Sequence, residues 1–230
     1  MKNRVLAGII VVSLLLAAGT LTRGHQTGDD FASYIMQAQS ILNGNTDEFI
    51  KRNTFTIFES SSQIGPVAYP WGYPLILTPA LLLKGIHPLT LKLPGLFFFA
   101  GFLICLYLLT KNRLTRIESL LLVSLFAFNP ILIKFLDQIL SDIPSLFFTF
   151  LGFLLIASLN PKQPSWKYTT LGAVIFIGFF IRTTGFILLA SFLAYQAIRF
   201  YCDREDRRFI FTNSVLTAAS FGLSWAISSL

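Results

Sequence analysis

Charge is scarce in this chain. Only 13% of its 230 residues are Asp, Glu, Lys or Arg, about half of the roughly 25% carried by an average soluble domain. That excludes an ordinary soluble globular protein, and the apolar content excludes a disordered chain. Histidine and cysteine are scarcer still, two of each. His25 and His87 lack metal-ligand spacing, which argues against a zinc site, and neither lies in a recognisable Ser/His/Asp context. Cys105 falls in an apolar run and Cys202 in a basic loop, so no disulfide framework is implied. No glycine-rich nucleotide-phosphate loop, internal repeat or low-complexity tract occurs. What the chain does have is hydrophobicity: 54% apolar residues, 24 phenylalanines and a mean hydropathy of +0.67. The expected class is all-α, a polytopic transmembrane helical bundle with membrane lipid as its solvent. The net charge of +7 is not gathered as a nucleic-acid-binding patch would be.

Uncharged apolar runs cover 5–22, 93–110, 119–133, 143–161, 168–181, 183–198 and 209–230, which predicts about seven spans. Several fall short of the roughly 20 residues a span needs, so flanking residues must snorkel. A run at 74–83 is too short to cross and predicts a helix at the interface. The positive-inside rule orients the chain. With the N-terminus inside, Lys2, Arg4, Lys111, Arg113, Arg116, Lys162, Lys167 and the Arg199–Arg208 cluster lie inside. Asp29, Asp30, Asp47, Glu48, Glu59, Asp137 and Asp142 then lie outside, and the whole net positive charge is inside. Residues 168–198 would make one helix of about 46 Å with Arg182 near its middle. A hairpin turning outside at Arg182-Thr183-Thr184-Gly185 fits the charge pattern better. Residues 1–22 have the character of a first span or an export signal. The domain reading is a single transmembrane module over 1–230, with a first outside loop at 23–90 carrying interfacial helices. The final apolar run ends without a basic flank, as in a partial sequence.

Chemistry-bearing residues concentrate in the outside segments. Gly28-Asp29-Asp30 opens an amphipathic stretch in which Phe31, Tyr34, Ile35, Ala38, Ile41 and Leu42 recur at helical spacing before Gly44. This predicts a short helix with its apolar face on the bilayer. Asp30 is a natural N-cap, which accounts for one carboxylate and not for two. A carboxylate at the interface suits a general base, and Asp29 with Asp30 offers oxygen ligands to a divalent cation. Tyr69-Pro70-Trp71-Gly72-Tyr73-Pro74 reads as an aromatic belt and a rigid turn, with Pro74 opening a helix over 74–86. Tyr69 and Tyr73 either anchor the chain or wall a pocket. Ser141 or Asp142 caps the next span, and Asp142 reaches the same face as Asp29 and Asp30. Arg182, at the hairpin tip, either snorkels to water or holds a phosphate.

The order of these pieces resembles the N-terminal part of GT-C-fold glycosyltransferases, in particular the dolichyl-phosphate-mannose–protein mannosyltransferase-like and aminoarabinose-transferase-like bacterial enzymes. The segments that carry the resemblance are GDDFASYIMQAQSILNG, YPWGYPLIL, LSDIPSLFF and GFFIRTTGFILL. It implies a transferase that moves a sugar from a polyprenyl-phosphate donor to a lipid, glycan or protein acceptor at the outer face of the cytoplasmic membrane. Asp30 or Asp29 would be the catalytic base, and Tyr34, Asp142 and Arg182 would bind substrate. Two features depart from the family pattern. Asp29-Asp30 stands where many members have Asp-Glu, and Thr183-Thr184 follows Arg182 where Pro is common. The competing classes are a multi-pass transporter, which would bind near the midplane with repeats and broken helices, and a non-catalytic assembly subunit.

Overall fold

A computed structural model describes residues 4–25, 30–59, 66–160 and 162–228. Every regular element among them is helical: α1 Arg4–Thr20, α2 Phe31–Asn43, α3 Thr46–Phe58, α4 Gly72–Lys84, α5 Pro88–Thr110, α6 Arg116–Ala127, α7 Pro130–Leu136, α8 Asp142–Ser158, α9 Ser165–Ile181, α10 Phe186–Cys202 and α11 Arg207–Ser228. Three helical segments are long and apolar enough to cross a membrane: α5, Thr183–Cys202 and α11. The α6–α7 pair makes a fourth if it is taken as one broken span. Helices α1, α8 and α9 are apolar but have 17 residues each, about 25 Å at 1.5 Å per residue. The expected count of seven therefore depends on these three shorter helices.

Two of the expected elements are revised. The run 119–133 does not form one helix; it bends by 51° between α6 and α7. The cause is local. Asn129 accepts from the Ile131 and Leu132 N–H groups at 2.9 and 3.2 Å, and Pro130 occupies the first helical position, a strong start signal for a new helix. The polar stretch after Gly44 holds α3, with Asn45 before it and Asp47 and Glu48 in its first turn, where acidic residues favour the helix dipole. Helix α4 begins at Gly72, two residues ahead of the expected Pro74.

Two ends of the bundle can be told apart from their contacts. At one end the Tyr168 hydroxyl donates to the Asn160 carbonyl at 2.9 Å, and Lys162 pairs with Asp206 at 3.5 Å. The links α8–α9 and α10–α11 therefore share that end. At the opposite end the chain breaks at Arg182, whose backbone is extended (φ −153°, ψ 129°), passes through a 3-10 turn over Thr183–Gly185 and reverses into α10. This is the hairpin expected from the sequence. Gly185 lies so close to the last turn of α9 that a Cβ would sit 2.3 Å from the Phe179 nitrogen.

Three apolar clusters hold the helices. Phe99, Phe102, Leu103 and Leu106 of α5 pack against α1, α6, α7 and α8. Leu171 and Ile175 of α9 meet Leu188, Leu189 and Phe192 of α10. Tyr34, Ile35 and Ala38 of α2 pack on Tyr73, Leu77, Ala80 and Leu81 of α4, with Ile139 and Ile181. The apolar face of α2 thus lies on the protein and not, as expected, on the bilayer; periodicity defines a face but not what covers it.

Gly72 makes this last docking possible. A Cβ there would lie 2.6 Å from the Phe180 carbonyl carbon and oxygen, backbone atoms that cannot swing aside. Gly72→Ala should therefore cost about 1–3 kcal/mol, as overpacking does, and lower the thermal midpoint of the detergent-solubilised chain. An unchanged midpoint would mean that α4 and α9 separate readily.

A polar cluster at the Arg182 end

Four chain segments bring their polar side chains to the Arg182 end. Asp30 closes the N-terminus of α2, and its carbonyl accepts from the Tyr34 N–H at 3.2 Å. Its side chain makes no capping bond; instead it accepts a hydrogen bond from the Tyr69 hydroxyl. The N-cap explanation of Asp30 is thus replaced by a side-chain partner 39 residues away. Asp29 lies outside the described residues.

Tyr69 is itself clamped by Gln37. The Gln37 amide donates to the Tyr69 carbonyl at 2.9 Å and accepts from the Tyr69 N–H at 3.0 Å, a two-bond grip like a strand pair. Gln37 is fully buried. The sequence signal for it is a polar residue among the buried positions of an amphipathic helix, where an amide needs partners. The rings follow: Tyr34 lies with its centroid 4.9 Å from that of Tyr69 and 4.9 Å from that of Tyr73, edge-on to the latter. The Tyr34 hydroxyl meets the Ser141 hydroxyl at 3.1 Å. Ser141, expected as a cap, makes no side-chain capping bond. Next to it in sequence, Asp142 pairs with Arg182 at 2.6 Å.

Asp30, Tyr34, Tyr69, Tyr73, Asp142 and Arg182, drawn from separate parts of the chain, therefore form one connected group. Burial, and then the Asp30 hydrogen bond and charge, hold the Tyr69 hydroxyl well above its ordinary pKa. It stays protonated and keeps donating. Tyr34 is also shifted up, chiefly by burial and against the pull of the Ser141 hydrogen bond. Arg182 is 41% exposed and Asp142 34%, so their pairing adds little stability. It does fix the guanidinium, which has five N–H donors and so more than the pair with Asp142 uses.

A second knot secures the segment that leads to Asp30. The Lys92 side chain is fully buried. Its Nζ donates to the Thr22 and Gly24 carbonyls, each at 2.8 Å, and to Asp137 at 2.6 Å. Asp137 in turn accepts from the Thr22 N–H at 2.7 Å and its hydroxyl at 2.8 Å. His25 accepts from the Ile139 N–H at 2.9 Å and stacks on Phe31 with centroids 3.8 Å apart. Lys92 is thus a buried ion-pair partner inside α5, and hydropathy carries no sign of its mate 45 residues on.

Among the described residues no group of three or more His, Cys, Asp or Glu gathers. Asp30 brings one carboxylate already engaged by Tyr69, and Asp142 is committed to Arg182. Asp29, the partner expected to hold a cation together with Asp30, lies outside the described residues.

Fold and cluster together define an all-helical, membrane-type protein with an ionisable layer at one end of its apolar helices. No protein family, curated protein or solved structure matches the chain.

Proposed function

We propose that the chain is the catalytic membrane module of a glycosyltransferase that moves a sugar from a polyprenyl-phosphate donor to an acceptor at the outer face of the cytoplasmic membrane. One observation carries this reading: Asp30 and Arg182, a candidate base and a phosphate-binding cation, belong to one connected polar layer at the end of an apolar bundle. In this reading α1, α5, the α6–α7 pair, α8, α9, α10 and α11 all cross, the short ones with their polar flanks reaching the interface. Helices α2, α3 and α4 form the outer cap.

The chemistry needs few groups. Asp30 takes the proton of the acceptor hydroxyl as that oxygen bonds to the anomeric carbon. The bond from that carbon to the donor phosphate oxygen breaks, and polyprenyl phosphate leaves with the electron pair. Arg182 holds the phosphate by charge-assisted hydrogen bonds and meets its growing charge. Attack opposite the leaving group inverts the sugar carbon. The apolar helices offer the donor chain a lipid-like wall. The partly exposed Tyr69 ring would border the sugar, with the buried Tyr34 and Tyr73 rings packed behind it.

A transporter would bind near the midplane, whereas this cluster lies at the helix ends. The test uses the full chain in proteoliposomes with radiolabelled polyprenyl-phosphate hexoses and a lipid or glycan acceptor mixture. Transfer should be present in the unaltered chain and absent when Asp29→Asn and Asp30→Asn are combined. Transfer that survives both substitutions overturns the assignment of the base.

A further inference from the structure

Away from the polar layer, the cap has a second feature with a composition of its own. Between the C-terminal half of α2 and the facing side of α3 lies a pocket of about 180 Å³. Its walls carry the amides of Gln39, Asn43, Asn45 and Asn53 and the Glu48–Arg52 ion pair. Phe49 also lines it; it is buried and set edge-on to Trp71 with centroids 6.2 Å apart. In a chain with 13% charged residues and 54% apolar ones, four uncharged amides around one small hollow are a local departure in composition.

We infer that this pocket is a carbohydrate-recognition site that takes one sugar ring of an extended glycan. The chemistry favours that class over others. Each amide presents a carbonyl acceptor and two N–H donors side by side, the arrangement that answers a hydroxyl or a vicinal diol, which both donates and accepts. The ion pair supplies further donors and acceptors while leaving no net charge, so neither a phosphate nor a metal ion is the natural guest. Met36, which also lines the pocket and is half exposed, offers the apolar surface against which the C–H face of a sugar rests. Part of the polar capacity is already used: the Asn53 amide donates to the Val67 carbonyl at 2.9 Å, and this bond also fixes the pocket's outer wall.

Position separates this pocket from the Asp30 cluster. Gln39 and Asn43 lie nine and thirteen residues beyond Asp30 on the same helix, roughly 14 and 20 Å along its axis. One ring cannot touch both places. An acceptor glycan of several units, held by a remote ring here, would present a hydroxyl at Asp30. This last step rests on the transferase reading; the sugar pocket does not.

The experiment is saturation-transfer NMR on the full detergent-solubilised chain with an equimolar mixture of the methyl glycosides of glucose, galactose, mannose and N-acetylglucosamine. At least one glycoside should receive saturation. The signal should vanish in the Gln39→Ala/Asn43→Ala chain and persist in Asp30→Asn. Alanine favours the helix at both positions, and an unchanged far-UV spectrum and melting midpoint will report a preserved fold. No saturation of any glycoside, or equal saturation in the double variant, overturns the inference. If the glycosides bind but no transfer is detected with polyprenyl-phosphate donors, the transferase reading fails while the pocket stands; the reverse pattern removes the pocket and leaves the cluster.

Discussion

Asp30→Asn alone should reduce sugar transfer by about 10²–10⁴-fold, the range that positioned proton transfer supplies, and leave binding of polyprenyl phosphate unchanged. The substitution nearly conserves shape. The Asn side-chain oxygen can still accept the Tyr69 hydroxyl, so the contact between α2 and the segment before α4 survives. What is lost is the ability to take a proton. A fall in the chemical step with donor binding intact is the pattern of a group used only in the transition state. Tyr69→Phe makes a useful partner. Tyr69 is held protonated by burial and by Asp30, so it acts as a donor and not as a competing base. Removing a hydrogen bond to a charged group is worth about 1.5–3 kcal/mol, roughly ten- to a hundred-fold in rate. Its effect should therefore be smaller than that of Asp30→Asn. If Tyr69→Phe proves the more damaging of the two, the carboxylate is a structural acceptor and the catalytic role passes elsewhere. Single-turnover transfer, measured alongside equilibrium binding of polyprenyl phosphate, separates these outcomes.

The reach and the limit of the sequence show in particular elements. Helix α2 was legible because its apolar positions recur with helical spacing and Gly44 can adopt the left-handed conformation (φ 65°) that closes it. The reversal at Arg182 was legible because charge at mid-helix depth is costly and the alternating loop charges demanded an extra turn. The meeting of Asp30, Asp142 and Arg182 at one end agrees with the expected topology, which puts all three on the same side of alternating spans. Their pairing does not. That Asp142 takes Arg182, while Asp30 takes Tyr69, depends on how α2, α4, α8 and α9 pack, and hydropathy carries no such information. Helix α3 was hidden because its apolar positions are sparse and only Phe49 is buried. The kink at Asn129-Pro130 could have been read from those two residues, a capping side chain followed by a first-turn proline, had the apolar run around them not dominated.

Lys92 and Asp137 give the largest stability effect expected in the chain, and the two partners should not be equivalent. Asp137→Asn can keep an acceptor for the Thr22 N–H but leaves a fully buried ammonium with two carbonyls and no counter-charge. Breaking a buried pair in this way costs about 3–5 kcal/mol. Lys92→Met removes the charge itself. The Asp137 left behind is 26% exposed and retains the Thr22 N–H and hydroxyl, so the loss should be smaller. The double substitution should be less damaging than the two single losses added together, because residues in one network couple. The pair also sets a pH dependence. Burial pushes the Asp137 carboxyl up, but Lys92 and the Thr22 donors outweigh it and hold the group below its ordinary value. A depressed carboxylate contributes stability that is complete above its unfolded pKa, near 4, and fades as pH falls through the lower folded value. The thermal midpoint of the unaltered chain should therefore drop on acidification below about pH 4 by more than that of Asp137→Asn, which has no carboxyl to protonate. Because the same bonds fasten residues 22–25, the segment that runs toward Asp30, loosening the knot should raise amide exchange at Thr22 and Gly24 before it affects the interior of α5. Exchange that rises everywhere at once would mean that the knot supports the whole bundle and not this strap.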